Sequence, residues 1–278
     1  MKKIDSSNYD EKYYFEYCGG YKEFKKSFGK EFDRRNNRLI KEIPYLKNKK
    51  VLDVGCGRGE LVFWVANEAS RVWGTDYSPS AIKIANIARK HYSKKIISRV
   101  KFEKMDATNL KFPDKSFDLV IYTDVHEHLY RRDAEKAFSE LVRVLKDNGK
   151  IFFHTEPNKL FYDFAWKFWC YPVSTLLIYI NKLITNNKYI NIPKPSKVRN
   201  EIARKLHINE ADYFYLKSMF NKFKVTGNIK TTNIVWIKPI MSWKDIIYNL
   251  LVYLDPLSRI FPFNILFGQD FLAVLIKK

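Results

Sequence analysis

The run Val51-Leu52-Asp53-Val54-Gly55-Cys56-Gly57-Arg58-Gly59-Glu60 constrains this chain more than any other stretch. A short apolar, β-branched segment reads as a buried strand, the glycines as a tight turn, and the residues after Gly59 as the start of a helix. Glycines in such a turn let the backbone pass close to a ligand, and the helix start presents N–H groups to it. The pattern is not the dinucleotide fingerprint G-x-G-x-x-G, because Glu60 stands where the third glycine would fall. No Gly-Lys-Ser/Thr comes after it, so it is not a triphosphate-cradling loop either. Asp53, just before the turn, would repel a pyrophosphate and attract a cationic amine.

From residue 49 to 155 such strands alternate with helical patterns, as in a parallel sheet covered by helices. Strands are expected at Lys50 to Val54, Arg71 to Thr75, Arg99 to Lys104, Phe117 to Thr123 and Gly149 to Thr155. Helices are expected near Gly59 to Glu68, Pro79 to His91 and Arg131 to Leu145. Ser78 with Pro79 is a strong helix start, and Gly149 offers the positive φ that closes the third helix. Further on, Asn209 reads as the cap of a helix to about Phe223, with strands near Lys224 to Thr231 and Asp270 to Ile276. Two acids stand beyond the glycine turn at the ends of the next strands. Asp76 is placed to accept hydrogen bonds from both ribose hydroxyls, and Asp106 to receive an adenine amino group. Together with Asp53 they line the rim where open α/β sheets bind ligands, which points to a nucleoside ligand.

On these residues the chain resembles the class I S-adenosylmethionine-dependent methyltransferases. VLDVGCGRGE is similar to their first motif, Asp76 to their ribose-binding acid, and MDAT to their adenine-contacting segment. FDLVIYTDVHEHL resembles their fourth strand with its loop, RVLKDNGKIFF the helix and fifth strand, and YDEKYYFEYCGGYKEF the lead-in of a subset. The resemblance is close over 49 to 156 and looser to the C-terminus. It implies an α/β, Rossmann-like, seven-stranded, mostly parallel sheet with the last strand antiparallel and helices on both faces. It also implies S-adenosyl-L-methionine as cofactor. Gly55, Gly57 and Gly59, with Cys56 as a small packing residue between them, would wrap the methionine part, with Asp53 near its amine. Asp76 and the adjoining Tyr77 would meet the ribose, Asp106 and Ala107 would flank the adenine, and Asp124 would sit beneath the methionine end. His128, in EHL, is the expected catalytic base or acceptor orienter; the alternative is that it only hydrogen-bonds to backbone and shapes its loop. Asp124, Glu127, His128 and His154 together would offer four metal ligands. Three of them belong to a motif that metal-free relatives resemble, and no metal is expected.

The organisation expected is an N-terminal helical cap (1–48), the cofactor-binding core (49–158), an apolar and basic insert (159–208), and a C-terminal part of the core (209–278). That last part holds a second apolar insert at about 239–267. Both inserts are aromatic-rich but interrupted: LFYDFAWKFWCYPVSTLLIYINKLI by Asp163, Lys167, Pro172 and Lys182, and IIYNLLVYLDPLSRIFPFNILF by Asp255, Pro256, Arg259 and Pro262. They either pack on each other as a lid or lie in a headgroup layer. With 50 Lys and Arg against 30 Asp and Glu, the formal charge is +20. That suits an anionic partner, nucleic acid or a membrane surface, or simply a lysine-rich genome. Residues 159 to 230 alone carry 13 basic against 4 acidic side chains, beside the first insert.

Nucleic acid is the lesser expectation. No Asn/Asp-Pro-Pro-Tyr stretch grips a flipped base, the nearest being Glu156-Pro157-Asn158, and no cysteine comes after a proline for attack on a pyrimidine. The expected function is methyl transfer to a small-molecule or lipid- or glycan-linked acceptor, with an anionic membrane surface as partner. The alternatives are an RNA methyltransferase and a non-catalytic platform with the same fold. Three scattered cysteines, a basic start without an apolar run behind it, and no uncharged apolar run of spanning length point to the cytosol, peripherally on the inner membrane face. The oligomeric state and the methylated atom, O, N or C, stay open.

Overall fold

The computed structural model describes residues 4–185, 192–199, 201–233, 237 and 239–278, so the basic start (1–3) and part of the polar linker (186–191 and 200) lie outside the described residues. Its centre is one sheet built from β1 (Lys50–Val54), β2 (Arg71–Asp76), β3 (Val100–Lys104), β4 (Phe117–Thr123), β5 (Leu145–Thr155), β6 (Val225–Thr226), β7 (Ile229–Lys230) and β8 (Phe271–Lys277). The order is β3-β2-β1-β4-β5-β8-β6, with β7 also on β8. The first five strands run parallel, and β8 runs antiparallel to β5.

Period-two alternation sends successive side chains of each strand to opposite faces. Val51, Ile121 and Phe152 join a core under the helices Glu60–Val65 and Pro79–Arg89, with Val62, Phe63 and Ile84. Leu52, Val120 and Phe153 join the opposite core under Arg131–Val144 and Tyr213–Lys222, with Phe138, Leu141 and Phe220. Both faces are therefore dry. The chain moves outward from β1 to β2 and β3, then returns to the other side of β1 for β4, so a crevice opens at the carboxyl ends of β1 and β4.

Ser78 caps its helix as expected, its hydroxyl accepting from the N–H groups of Ser80 and Ala81. Three local expectations are corrected. Gly149 is not the residue with positive φ; Asn148 is, at 59°, and the helix has already ended at Val144, with β5 starting at Leu145. Gly149 is instead short of room, since a Cβ there would lie 2.7 Å from Leu145 Cγ. Asp212 rather than Asn209 caps the later helix, accepting from Tyr215 N at 2.9 Å. The sixth strand is two two-residue strands, so the sheet has eight strands instead of seven. Gly227 lies between the pieces, where a Cβ would stand 2.2 Å from Val274 O.

The apolar segments pack on each other. Phe161, Trp166 and Cys170 from the wide-turned helix Phe161–Cys170 meet Val252 and Tyr253 of Trp243–Tyr253 in a third core. Trp169 Nε1 donates to Leu251 O at 3.0 Å, and the hydroxyls of Ser174 and Tyr248 are 2.9 Å apart. Among the described residues no helix is long and apolar enough to cross a membrane.

Candidate active site

A cavity of about 430 Å³ opens at the carboxyl ends of β1 to β4, within the roughly 300–1,000 Å³ usual for small-molecule sites. It is lined by Asp53, Gly55, Cys56 and Gly57 of the glycine turn, by Asp76 and Tyr77 after β2, by Asp106 and Ala107 after β3, and by Asp124 and His128 after β4. Gly59 does not line it. That glycine, at φ 87°, heads the helix Glu60–Val65, and a Cβ on it would come within 2.7 Å of Phe102 Cζ, so its smallness serves helix-to-sheet packing.

The turn is held by the sheet. Gly55 N and Cys56 N both donate to Thr75 O, at 2.7 and 2.9 Å. Gly55 has φ 80°, and a Cβ there would fall 2.1 Å from Val125 Cγ2, so only glycine fits. Asp76 ties the turn to β2: its Oδ2 accepts from Gly57 N at 2.9 Å and its Oδ1 from Ser78 N at 2.8 Å. Asp106 shapes its own loop, accepting from Thr108 N and Oγ1.

Asp53 is buried at the end of β1. Burial, then the neighbouring Asp76, Asp124 and Glu60 carboxylates, push it up to about 8. At pH 7 it is therefore mostly protonated without a ligand, and a cationic group placed beside it would expel the proton. Titrating S-adenosylmethionine at pH 7 in two buffers of different ionisation enthalpy should show close to one proton released. Asp53→Asn should release none; equal proton counts in the two proteins would remove Asp53 from the amine site.

On the other side of the crevice a charged network crosses the cavity floor. Asp124, at φ 57°, accepts through Oδ1 from Arg35 Nη2 at 2.5 Å and from His154 Nδ1 at 2.8 Å. His154 is fully buried, with Nε2 3.7 Å from Asp270 Oδ2. Burial opposes its charge, but Asp124 and Asp270 outweigh that and raise it to about 10, so it is a cation. Burial likewise works against ionised Asp124, yet Arg35 and His154 hold it well below the usual carboxylate range. Arg35 Nε also lies 3.5 Å from Glu156 Oε2. Asp124 is thus engaged by two cations, which is not how a metal ligand is presented. Among the described residues no three His, Cys, Asp or Glu side chains are arranged to hold a metal ion.

His128 Nδ1 lies 3.3 Å from Leu206 O. A carbonyl only accepts, so this contact assigns the proton to Nδ1 and leaves the lone pair on Nε2. Burial and then His207, whose ring stands edge-on at 4.9 Å, lower His128 to about 3 and keep it neutral. Tyr9 meets its ring edge-on from the N-terminal segment. That segment is strapped down by buried Arg58, which donates to Tyr14 O at 2.7 Å and Gly19 O at 2.5 Å, while Ser78 Oγ donates to Tyr9 O at 2.6 Å. Tyr9, Tyr13 and Tyr14 thereby wall the cavity. Asn209 braces the loop, its N–H donating to Glu127 O and its amide to His126 O.

Arg35, Glu156 and His207 belong to this site but carry no sequence motif, Arg58 lies within the glycine motif with nothing local to mark its role, and the tyrosines are marked only by the lead-in. Among the described residues neither Glu156 Oε2 nor His207 Nδ1 has a hydrogen-bond partner, although both residues line the cavity.

Residues 52–153 match the family model for a methyltransferase domain. This stretch of the chain forms a methyltransferase domain. Phosphoethanolamine N-methyltransferase 2 of Caenorhabditis elegans is 37% identical over 118 residues, 42% of this chain and 26% of that protein. The 27-O-demethylrifamycin SV methyltransferase of Amycolatopsis mediterranei is 31% identical over 118 residues, 42% of each chain. The methyltransferase domain thus aligns with less than half the length of these curated relatives. The fold extends further: an S-adenosylmethionine-dependent methyltransferase structure from Mesorhizobium loti superposes with a TM-score of 0.57 at 14% identity, covering 88% of this chain and 98% of that one. S-adenosylmethionine is the cofactor of the methyltransferase domain. The residues present fit it: a turn with positive φ at Gly55 and Gly57 on the cavity wall, the buried carboxyl of Asp53 beside it, and a cavity of adequate volume.

Proposed function

We propose that this protein transfers the methyl group of S-adenosylmethionine to a small-molecule acceptor bound beside Tyr9, His128 and His207, and that the acceptor is amphiphilic or lipid-linked. The observation that carries the reading is that one cavity joins the glycine turn and its strand-end acids to a second set of side chains drawn from outside the sheet. The turn from Gly55 to Gly57 and Asp53 would hold the methionine part, Asp76 with Tyr77 the ribose, and Asp106 with Ala107 the adenine. When bound, S-adenosylmethionine supplies an electrophilic methyl on a sulfonium. The protein's part is alignment, exclusion of water by the tyrosine wall, and handling of the acceptor proton. Neutral His128 offers Nε2 as an acceptor for the X–H bond of the nucleophile, turning its lone pair toward the methyl. The curated relatives named above differ in their acceptors, one name specifying an amine and the other a hydroxyl-derived position, so the shared domain is compatible with either.

Incubating the protein with labelled S-adenosylmethionine and fractionated lipid, glycan and RNA extracts should place label in the lipid or small-molecule fraction. His128→Ala should lower the rate constant for transfer about 10- to 100-fold with cofactor affinity unchanged. Label only in RNA would overturn the acceptor class, and an unaltered rate in His128→Ala would reduce that residue to shaping its loop.

A further inference from the structure

We infer that the outward faces of the helices Tyr171–Thr185 and Trp243–Tyr253, with the turn Leu257 to Phe263, seat in the headgroup layer of an anionic bilayer, and that the acceptor reaches the cavity from that layer; the second half of this rests on the function proposed above. Leu176, Tyr179, Ile180 and Leu183 stand at i, i+3, i+4 and i+7, and so do Trp243, Ile246, Ile247 and Leu250. This spacing puts each set on one helix face. In a water-soluble helix that face would be the one buried. Here it is the exposed one, with Leu183 at 68% and Trp243 at 66%, while the opposite faces put Ser174, Asn249 and Val252 inside. Leu257, Ile260, Phe261 and Phe263 extend the exposed apolar surface through the adjoining turn. Exposed apolar surface on this scale marks a docking surface.

Three observations choose a bilayer over a protein. The helices have 15 and 11 residues, rising about 22 and 16 Å against roughly 30 Å of hydrocarbon, so they suit lying in the interface rather than crossing it. Their charge complements anionic lipid: Asp163 and Glu210 are engaged by Arg199 and Asp255 by Arg259, and Asp245 is turned back to cap its own helix at Ser242, while Lys167, Lys182 and Lys244 are exposed. Lys182 and Lys244 sit within the apolar stretches, where their stems can track the surface and their ammonium groups reach phosphate. A two-fold contact with a second copy would instead set like charges against each other. The annex is tied to the site through Arg199, which pairs with Asp163 of the helix Phe161–Cys170 and with Glu210, next to the segment whose Leu206 and His207 line the cavity.

The test is co-sedimentation of the full chain with vesicles of phosphatidylcholine alone and with about a third phosphatidylglycerol, with S-adenosylmethionine titrated into the same samples. The wild type should partition onto the anionic vesicles and come off as salt rises. The triple variant Leu176→Glu, Leu183→Glu, Ile247→Glu should partition at least about tenfold less while binding the cofactor as the wild type does. Wild type that stays in the supernatant, a triple variant that partitions equally, or a wild-type dimer that ignores vesicles and that the glutamates dissociate would each overturn the inference. Cofactor binding is read independently of partition, so failure of the methyltransferase reading would show as a flat titration whatever the vesicles do.

Discussion

Asp76→Ala is expected to weaken S-adenosylmethionine binding by at least about a hundredfold, or ~3 kcal/mol. The carboxylate has two duties. Towards the protein it accepts from Gly57 N and Ser78 N and so fixes the turn at the end of β1 to the end of β2. Towards the ligand it is the proposed ribose acceptor. Alanine removes both, leaving buried N–H groups without an acceptor in addition to unpaired ribose hydroxyls. Asp76→Asn keeps one carbonyl oxygen and should fall between the two proteins. Calorimetry with S-adenosylmethionine and with its demethylated product reads the effect directly. A dissociation constant within threefold of wild type would mean that the cavity is not the cofactor site.

His154→Leu should be the most costly substitution for folding, about 3–5 kcal/mol, because it strips the cation from Asp270 and leaves Asp124 with Arg35 alone. For a chain of this size the melting temperature should drop by roughly 10 °C. The pH profile carries a more specific mark. His154 titrates near 10 in the folded protein against about 6.5 unfolded, so its stabilisation is complete below about pH 6.5 and is lost as pH climbs towards 10. Asp270, lowered to about 2 by His154 and Thr232 against the burial that opposes it, contributes above about pH 4 and fails only in stronger acid. Asp53 and Glu127, both raised to about 8 chiefly by burial, add a decline between about pH 4 and 8 that wild type and variant share. Between pH 8 and 10 the wild type should therefore keep losing stability while the variant levels off. Melting curves at half-unit intervals would show it, and parallel profiles would mean that His154 is neutral.

Local signals were enough for the frame of this fold. β1 and β4 begin and end where their apolar runs do, at Lys50 and Val54 and at Phe117 and Thr123, because a strand dry on both faces writes itself as a continuous run. Ser78-Pro79 marks its helix start for an equally local reason. Ten of the eleven residues expected at the site line the cavity, since the ends of adjacent parallel strands converge whatever else the chain does. What stayed illegible is what depends on distant partners. Arg35 and Asp124 are 89 positions apart, and Leu206 and His128 are 78 apart. In isolation Arg35 reads as one charge of a solvated helix and His207 as a loop residue. Asn209 looks like a cap because caps and loop braces use the same amide; only the fold shows that its donors go to the Glu127 turn. The split of the sixth strand at Gly227 depends on the approach of β8, which no local pattern encodes.

The third core has no member in common with the two that flank the sheet. Substitutions inside it fall on side chains that belong to neither sheet layer. The chain thus separates two packing problems: the strands beside the glycine turn are fixed by packing on both sheet faces, while the aromatic annex is packed largely within itself. A scaffold arranged in this way can be redirected to a new acceptor without re-solving the harder problem of holding the donor.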